Sequence, residues 1–217
     1  MKPLLYDLYC CSGGATKGYQ LAGFRVIGVD CKPQPRYIGD DFILIDSIDF
    51  LERYISGEYE RAKALHASPP CQAYSYCTKL GQRQYYKKLI SATRYLFEQT
   101  KLPYVIENVL GAKKSLRANI LLCGTMFGLP IHRHRLFESH PPLAVLTPPC
   151  AKNAEVVYIT GSRRDKKGNY VREPSSKERK DIMGMPWATI GDIDEAIPPI
   201  YTEFIGKYLM EQINSKS

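Results

Sequence analysis

A single cysteine in a rigid loop is the residue of this sequence best suited to covalent chemistry. Cys71 follows two prolines in the run Ser68-Pro69-Pro70-Cys71-Gln72, directly after a predicted strand. Proline fixes the backbone angle φ, so this thiol is held in position at the strand end. A positioned thiolate can attack carbon covalently, whereas an isolated cysteine is more often a small buried hydrophobic residue. The neighbouring motifs decide between these two interpretations.

Further along the chain, one acid and two arginines supply groups for proton transfer and anchoring. Glu107, in the run 105–109, ends a predicted strand, where a buried carboxyl group can stay protonated and donate a hydrogen bond. Arg133 and Arg135 alternate with histidines, so in an extended strand both share one face and can reach a base or a phosphate. The structural alternatives are a helix cap for Glu107 and an exposed, charged edge strand for the arginines.

A glycine turn and two strand-end carboxylates form a candidate site for an adenosyl ligand. The turn Gly13-Gly14 lets the backbone approach a ligand closely and directs helix N–H groups at it. Its spacing is that of neither a dinucleotide fingerprint nor a phosphate loop. Asp30 is placed to bind ribose hydroxyls, and Asp46 to bind an adenine amino group. Taken singly, the turn and the acids are also explained by helix packing and capping.

These residues require a scaffold that brings strand ends together, and the alternation of β and α segments predicts one. Strands are predicted over residues 4–9, 25–30, 42–46, 62–67, 104–107 and 135–138, and helices over 15–22, 83–100, 176–183 and 199–213. This order predicts an α/β fold with a doubly wound, mostly parallel sheet. Ligands of such sheets bind beyond the carboxyl ends of the strands, where the candidate residues fall.

Length and composition indicate one basic domain. The 217 residues suit a single domain, and 30 Lys and Arg against 22 Asp and Glu give a net charge of +8, which favours a polyanionic partner. We expect a cytoplasmic monomer with no membrane contact, because neither a signal peptide nor a membrane-spanning apolar run is present. Seven cysteines without C-x-x-C spacing predict reduced thiols and no bound metal.

In this order along the chain, the motifs resemble those of the DNA (cytosine-5) methyltransferases, and the resemblance covers nearly the whole sequence. The matching segments are residues 7–14, Val29-Asp30, Ile45-Asp46, the Cys71 loop, Glu107-Asn108-Val109, Arg133-x-Arg135 and the closing stretch 196–206. The resemblance implies a fold of the S-adenosylmethionine-dependent methyltransferase type. It also implies methylation of carbon 5 of cytosine in double-stranded DNA after the base is flipped out of the helix.

The resemblance also implies roles for individual residues. The implied catalytic residues are Cys71, Glu107, Arg133 and Arg135. The implied contacts to S-adenosylmethionine are Asp7, Cys11, Ser12, Gly13, Gly14, Asp30, Cys31, Asp46, Ser47, Pro70 and Pro199. The expected DNA contacts are Gln72, Ser75, Arg163, Arg164, Lys166 and Lys167, the last four from a segment, 163–180, with eight basic and three acidic residues.

The expected target-recognition region is short, at about residues 140–176, and is similar to the compact forms that bacteriophages and other mobile elements encode. So short a region predicts a target of only about two to four base pairs. The same resemblance implies a role in restriction-modification. Two alternatives remain open. One is methylation of cytosine in tRNA, and the other is a catalytically silent DNA-binding module.

Overall fold

The protein is described by a computed structural model that covers residues 1–160 and 173–215. In these ranges the strands are β1 (Leu4–Leu8), β2 (Arg25–Asp30), β3 (Asp41–Leu44), β4 (Ala64–Ala67), β5 (Tyr104–Val109), β6 (Ile120–Leu122) and β7 (Arg135–His140). The α-helices are α1 (Gly14–Leu21), α2 (Ser47–Ser56), α3 (Ile90–Thr100), α4 (Ser176–Met183), α5 (Ile190–Glu195) and α6 (Pro199–Asn214). Short 3-10 turns lie at Leu80–Tyr85, Leu110–Ala112 and Gly124–Phe127.

The seven strands form one sheet in the order β3-β2-β1-β4-β5-β7-β6. Strands β1 to β5 are parallel, and β7 pairs antiparallel with both β5 and β6. The direction of winding reverses between β1 and β4, the position where open α/β sheets bind ligands. Because β7 runs antiparallel, its first residue, Arg135, lies at the same edge as the carboxyl ends of β1 to β5.

Apolar side chains cover both faces of the sheet, which explains why all five residues of β1 are buried. On one face Tyr6 and Leu8 pack with α2 and α3, and on the other Leu5 packs with α1 and α6. A third, smaller cluster joins Ile131 and Ile159 to the segment 183–193. The sheet is therefore the middle of three layers, and its strand ends are the part left for a site.

Local sequence signals explain several helix boundaries. Asp46 caps α2 by accepting a hydrogen bond from the Ile48 N–H at 2.8 Å. Ser175 and Glu178 form a reciprocal capping box at the start of α4. Pro199 occupies the first turn of α6, where its missing N–H costs no hydrogen bond.

The predicted α/β fold with a doubly wound, mostly parallel sheet is confirmed, with three local corrections. The helix predicted over 83–100 begins only at Ile90, because the residues before it, such as Tyr85 (79% exposed), provide no apolar face for packing. The third strand ends at Leu44 rather than at Asp46. The helices α2 and α5 and the strand β6 were not predicted. Within the described ranges, no helix is long and apolar enough to span a membrane.

Candidate active site

A cavity opens at the sheet edge where the candidate residues were predicted to meet. Its wall includes Asp30 at the end of β2, the loop 68–72 after β4, Glu107 in β5 and Arg135 at the start of β7. Residues 195–197, between α5 and α6, close another side. Groups from both ends of the chain and from neighbouring strands therefore face one space.

The turn between β1 and α1 is tightly constrained. Tyr9 and Cys11 adopt positive φ angles of 58° and 47°, and Gly13 has φ 91°. Non-glycine residues rarely adopt this left-handed conformation, and such strained positions cluster at functional sites. Gly14 has a different requirement, because a Cβ atom there would lie 2.8 Å from the carbonyl oxygen of Ile197. The two glycines thus serve the turn geometry and the close approach of the segment that precedes α6.

Two aspartates fix this turn and the start of α1 through hydrogen bonds. Asp30 accepts hydrogen bonds from the N–H groups of Cys11 at 3.1 Å and Lys32 at 3.0 Å. Asp7 is fully buried, accepting a bond from the Thr16 hydroxyl and lying 2.7 Å from His66 Nδ1. Asp7 is therefore committed to the scaffold, whereas the remaining lone pairs of Asp30 are available at the cavity wall.

The cavity contains polar atoms that the described part of the chain leaves without a hydrogen-bond partner. These include Ser12 Oγ and Gln72 Oε1, both buried. Buried polar atoms are nearly always paired, so unpaired ones in a cavity wall indicate a polar ligand. Together with the Asp30 carboxylate, these atoms fit a ligand with hydroxyl and amino groups, such as an adenosyl compound.

The loop that carries Cys71 is fixed by β5 and by the turn that follows it. Asn108 donates a hydrogen bond of 2.7 Å to the carbonyl oxygen of Pro69. The carbonyl oxygen of Cys71 accepts bonds from the N–H groups of Tyr74 and Ser75. A Cβ atom on Gly111 would lie only 2.0 Å from the Tyr74 carbonyl oxygen, so the loop approaches this turn more closely than any side chain permits.

The half-buried Cys71 thiol lies near two groups of opposite charge, the Glu107 carboxylate and the Arg135 guanidinium. Burial raises its pKa, the negative charge of Glu107 raises it further, and Arg135 lowers it. Arg135 Nε lies 3.0 Å from Glu107 Oε1, but the angle does not make a hydrogen bond. Within the described structure this oxygen therefore remains available to a substrate, as does the guanidinium of Arg135.

The two arginines differ in their surroundings. Arg133 is buried, and its guanidinium donates to the backbone carbonyls of Ile193, Asp194 and Ala196 at 2.7–3.2 Å. The Tyr201 hydroxyl donates to the Arg133 carbonyl at 2.7 Å. The sequence predicted that both arginines reach a base or a phosphate, but Arg133 instead fixes the α5–α6 segment and only Arg135 lines the cavity.

Most of the predicted site residues come together. Those that line the cavity are Asp7, Cys11, Ser12, Gly14, Asp30, Cys31, Pro70, Cys71, Gln72, Glu107 and Arg135. Those outside its wall are Gly13, Asp46, Ser47, Ser75, Arg133 and Pro199. Asp46 is the cap of α2, which was the alternative explanation for such an acid. Arg163, Arg164, Lys166 and Lys167 lie outside the described residues.

Sequence reasoning missed the residues that hold or complete the site. Glu195 lines the cavity, and the Trp187 indole N–H donates to the Ser12 carbonyl at 2.9 Å. No local spacing pattern connects these residues to the first turn. Asn108 belongs to the matching segment Glu107-Asn108-Val109 but was given no role of its own, and the position of Gly111 just after β5 was the one available signal for that residue.

Comparison with solved structures shows which fold this is. The chain is similar to a protein of an E. coli prophage, assigned as a DNA modification methyltransferase, with 14% identity, a TM-score of 0.61 and coverage of 98% of this chain and 100% of that one. It is similar to the Entamoeba histolytica methyltransferase EhMeth (13%, 0.63, 98% and 99%) and to S. pombe Dnmt2 methyltransferase (13%, 0.61, 99% and 100%). No family model and no curated protein matches the sequence.

The fold is thus that of the S-adenosylmethionine-dependent methyltransferases. At 13–14% identity the likeness establishes the fold alone.

Proposed function

We propose that this protein is an S-adenosylmethionine-dependent DNA methyltransferase that methylates carbon 5 of cytosine, with Cys71 as the nucleophile. The observation that carries the proposal is the meeting of Cys71, Glu107 and Arg135 at one cavity whose other wall is formed by the first turn and Asp30. A thiol, a carboxyl group and a guanidinium are the groups required to activate a cytosine ring covalently.

The residues of the turn between β1 and α1 fit the methyl donor. Asp30 is placed to accept ribose hydroxyls, and the unpaired Ser12 hydroxyl offers a further hydrogen bond. S-adenosylmethionine, when bound, supplies an electrophilic methyl group. The segment around Ile197 packs closely against Gly14 and forms part of the wall on this side of the cavity.

The proposed reaction uses the three side chains in succession. The Cys71 thiolate attacks carbon 6 of a flipped cytosine, and the electron pair of the 5,6 double bond moves into the ring. Glu107, which takes up a proton when the cytosine binds, hydrogen-bonds N3 and donates this proton to it, while Arg135 binds the ring carbonyl oxygen. Carbon 5 then takes the methyl group. Loss of the carbon 5 proton to water, breakage of the carbon 6–sulfur bond and return of the N3 proton to Glu107 restore the ring and free Cys71 as a thiolate.

Double-stranded DNA is the substrate that the remaining observations favour. The chain carries a net charge of +8, and the structures of similar fold include one assigned to DNA modification. A catalytically silent module would not need the Cys71 loop to be fixed so closely against Asn108 and Gly111. The alternative substrate, RNA, is distinguished from DNA by comparing methylation of the two nucleic acids directly.

The test is transfer of a labelled methyl group from S-adenosylmethionine to duplex DNA and, in parallel, to tRNA. We expect 5-methylcytosine in DNA, identified by mass spectrometry of the nucleosides, and none with Cys71→Ala. Preferential labelling of tRNA would replace the DNA substrate while keeping the chemistry. Labelling of neither, by folded protein that binds the methyl donor, would refute the proposed activity.

A further inference from the structure

Away from the cavity, two cysteines and two histidines gather around one point. The donor atoms of Cys123, His132, His134 and Cys150 all lie within 4.8 Å of one another. Cys123 is buried and the other three are partly buried. We propose that these four residues bind a zinc ion that holds the segment leading to Arg135 in place.

The separations of the donor atoms are those of a tetrahedral site. Cys123 Sγ lies 3.6 Å from His132 Nδ1, and Cys150 Sγ lies 3.6 Å from His134 Nε2. Zinc bonds of about 2.3 Å to sulfur and about 2.0–2.1 Å to nitrogen, at tetrahedral angles, separate sulfur from nitrogen by about 3.6 Å. All the donor atoms lie within 4.8 Å of one another, compared with about 3.3–3.8 Å between the ligand atoms of a tetrahedral zinc ion, and side-chain rotation can close this difference.

Because histidine and arginine alternate along this segment, the histidines and the arginines have different structural roles. Successive side chains of an extended segment point to opposite sides. The His132 and His134 rings lie nearly parallel, with centroids 5.8 Å apart and an interplanar angle of 16°. Arg133 points away from them to the carbonyl groups of residues 193–196. One face of this segment thus binds the metal, and the other holds the α5–α6 segment.

The surroundings of the sulfur atoms favour thiolates bound to a cation. Thr125 Oγ1 lies 3.3 Å from Cys123 Sγ and 3.5 Å from Cys150 Sγ, so its hydroxyl can donate to one of them. Such outer hydrogen bonds commonly orient metal ligands. Two thiolates neutralise one divalent cation, and a tetrahedral set of two sulfur and two nitrogen ligands favours zinc over magnesium or calcium.

The fold offers a reason for a metal at this place. Residues 141–160 form neither helix nor strand, so backbone hydrogen bonds do little to fix them. Cys150 belongs to this stretch, whereas Cys123 directly follows β6 and His134 directly precedes β7. A zinc ion would fasten the irregular stretch to the sheet and fix the backbone next to Arg135.

This proposal departs from the expectation of no metal that the cysteine spacing gave. The ligands follow the pattern C-x8-H-x-H-x15-C, which contains no C-x-x-C pair. The four ligands therefore do not match zinc-finger spacing. They come together only because β6 and β7 pair.

The first test is the metal content of the untagged protein, purified without chelators and measured by inductively coupled plasma mass spectrometry. We expect one zinc per chain, and a background level in the double variant Cys123→Ser, Cys150→Ser. Cys77→Ser is the matched control, because this exposed cysteine lies outside the cluster and its removal should leave the zinc content unchanged. Equal zinc in the double variant, or a disulfide between Cys123 and Cys150 in the purified protein, would overturn the proposal.

The second test does not depend on how well the double variant folds. Cobalt(II) added to the metal-free wild-type protein should give the visible bands of a tetrahedral ion and a thiolate-to-cobalt charge-transfer band. His132→Cys replaces nitrogen by a third thiolate and should raise the charge-transfer absorbance about 1.5-fold, in proportion to the sulfur ligands. An octahedral spectrum, no cobalt binding, or an unchanged charge-transfer band in His132→Cys would overturn the assignment.

Discussion

At the scale of single residues, the environment of Cys71 sets the reactivity of the proposed nucleophile. Burial and Glu107 raise the pKa of the thiol, and Arg135 opposes them without cancelling the effect. In the absence of substrate, Cys71 is therefore mainly a protonated thiol at neutral pH, and the thiolate fraction increases as the pH rises. A small thiolate fraction makes Cys71 slow to react with electrophiles in the free protein.

Alkylation of Cys71 should therefore respond both to the charge of its neighbours and to pH. The rate of modification by iodoacetamide, followed at the Cys71 peptide by mass spectrometry, should rise with pH and still be rising above pH 8 or so. Glu107→Gln removes a negative charge that raises the thiol pKa, so it should speed the reaction at pH 7 several-fold. Arg135→Met removes the opposing positive charge and should slow it.

The Cys77 peptide in the same digests is the internal control, because Cys77 is exposed and is not among the residues lining the cavity. Its rate should be the same in all three proteins. Equal rates at Cys71 in wild type and Glu107→Gln would contradict the electrostatic coupling of these two groups.

At the scale of elements, the site depends on how the loop after β4 meets the end of β5. Asn108 fixes Pro69 by a buried hydrogen bond, and Gly111 lets the Tyr74 backbone approach without a Cβ atom between them. The position of the Cys71 thiol is therefore determined by residues on a neighbouring strand and turn rather than by the two prolines alone.

Gly111→Ala should disturb this contact. The new methyl group would meet backbone rather than a flexible side chain, so we expect a loss of about 1–3 kcal/mol in the free energy of unfolding and a thermal midpoint lower by several degrees. Gly81→Ala is the matched control, because a Cβ atom there meets nothing within 4 Å. Equal thermal midpoints for the two variants, measured by scanning calorimetry, would contradict the close approach.

The sequence predicted the elements that follow a repeating pattern and missed those fixed by distant partners. Strand β2 was predicted over its observed range, and the Pro199 start of α6 is a local signal. The predicted start of α3 was wrong, because helix periodicity does not reveal where packing against the core begins. Arg133 was assigned to the substrate because alternation alone cannot show that residues 193–196 accept its hydrogen bonds.

At the scale of the whole molecule, positive charge and a short recognition region define the expected partner. The net charge is +8, and the segment 163–180 alone holds eight basic and three acidic residues. The first four basic residues of this segment, which are expected to contact DNA, lie outside the described residues, and their contacts remain a prediction from sequence: Arg163, Arg164, Lys166 and Lys167. A polyanion bound by such charges releases counterions, so its affinity depends on salt.

The four substitutions Arg163→Gln, Arg164→Gln, Lys166→Gln and Lys167→Gln, made together, should weaken DNA binding and flatten its salt dependence. Each phosphate that the protein no longer neutralises should lower the slope of log K against log salt by about 0.9. Fluorescence anisotropy over a series of salt concentrations measures both quantities. Gln substitutions at four exposed lysines outside this segment, Lys87, Lys88, Lys113 and Lys114, remove the same net charge and provide the control. An equal slope in wild type and the fourfold variant would exclude the segment as a phosphate-binding surface.

Trapping with 5-fluorocytosine tests the central claim most directly, because fluorine at carbon 5 allows methylation but blocks the final elimination. DNA synthesised with 5-fluorocytosine at every cytosine removes the need to know the target sequence. With S-adenosylmethionine present, protein and DNA should form an adduct that survives denaturing electrophoresis and maps to Cys71 by mass spectrometry. Cys71→Ala should form none, and Cys77→Ala should form it as wild type does. An adduct at Cys77, or turnover that persists in Cys71→Ala, would contradict the assignment of Cys71 as the nucleophile.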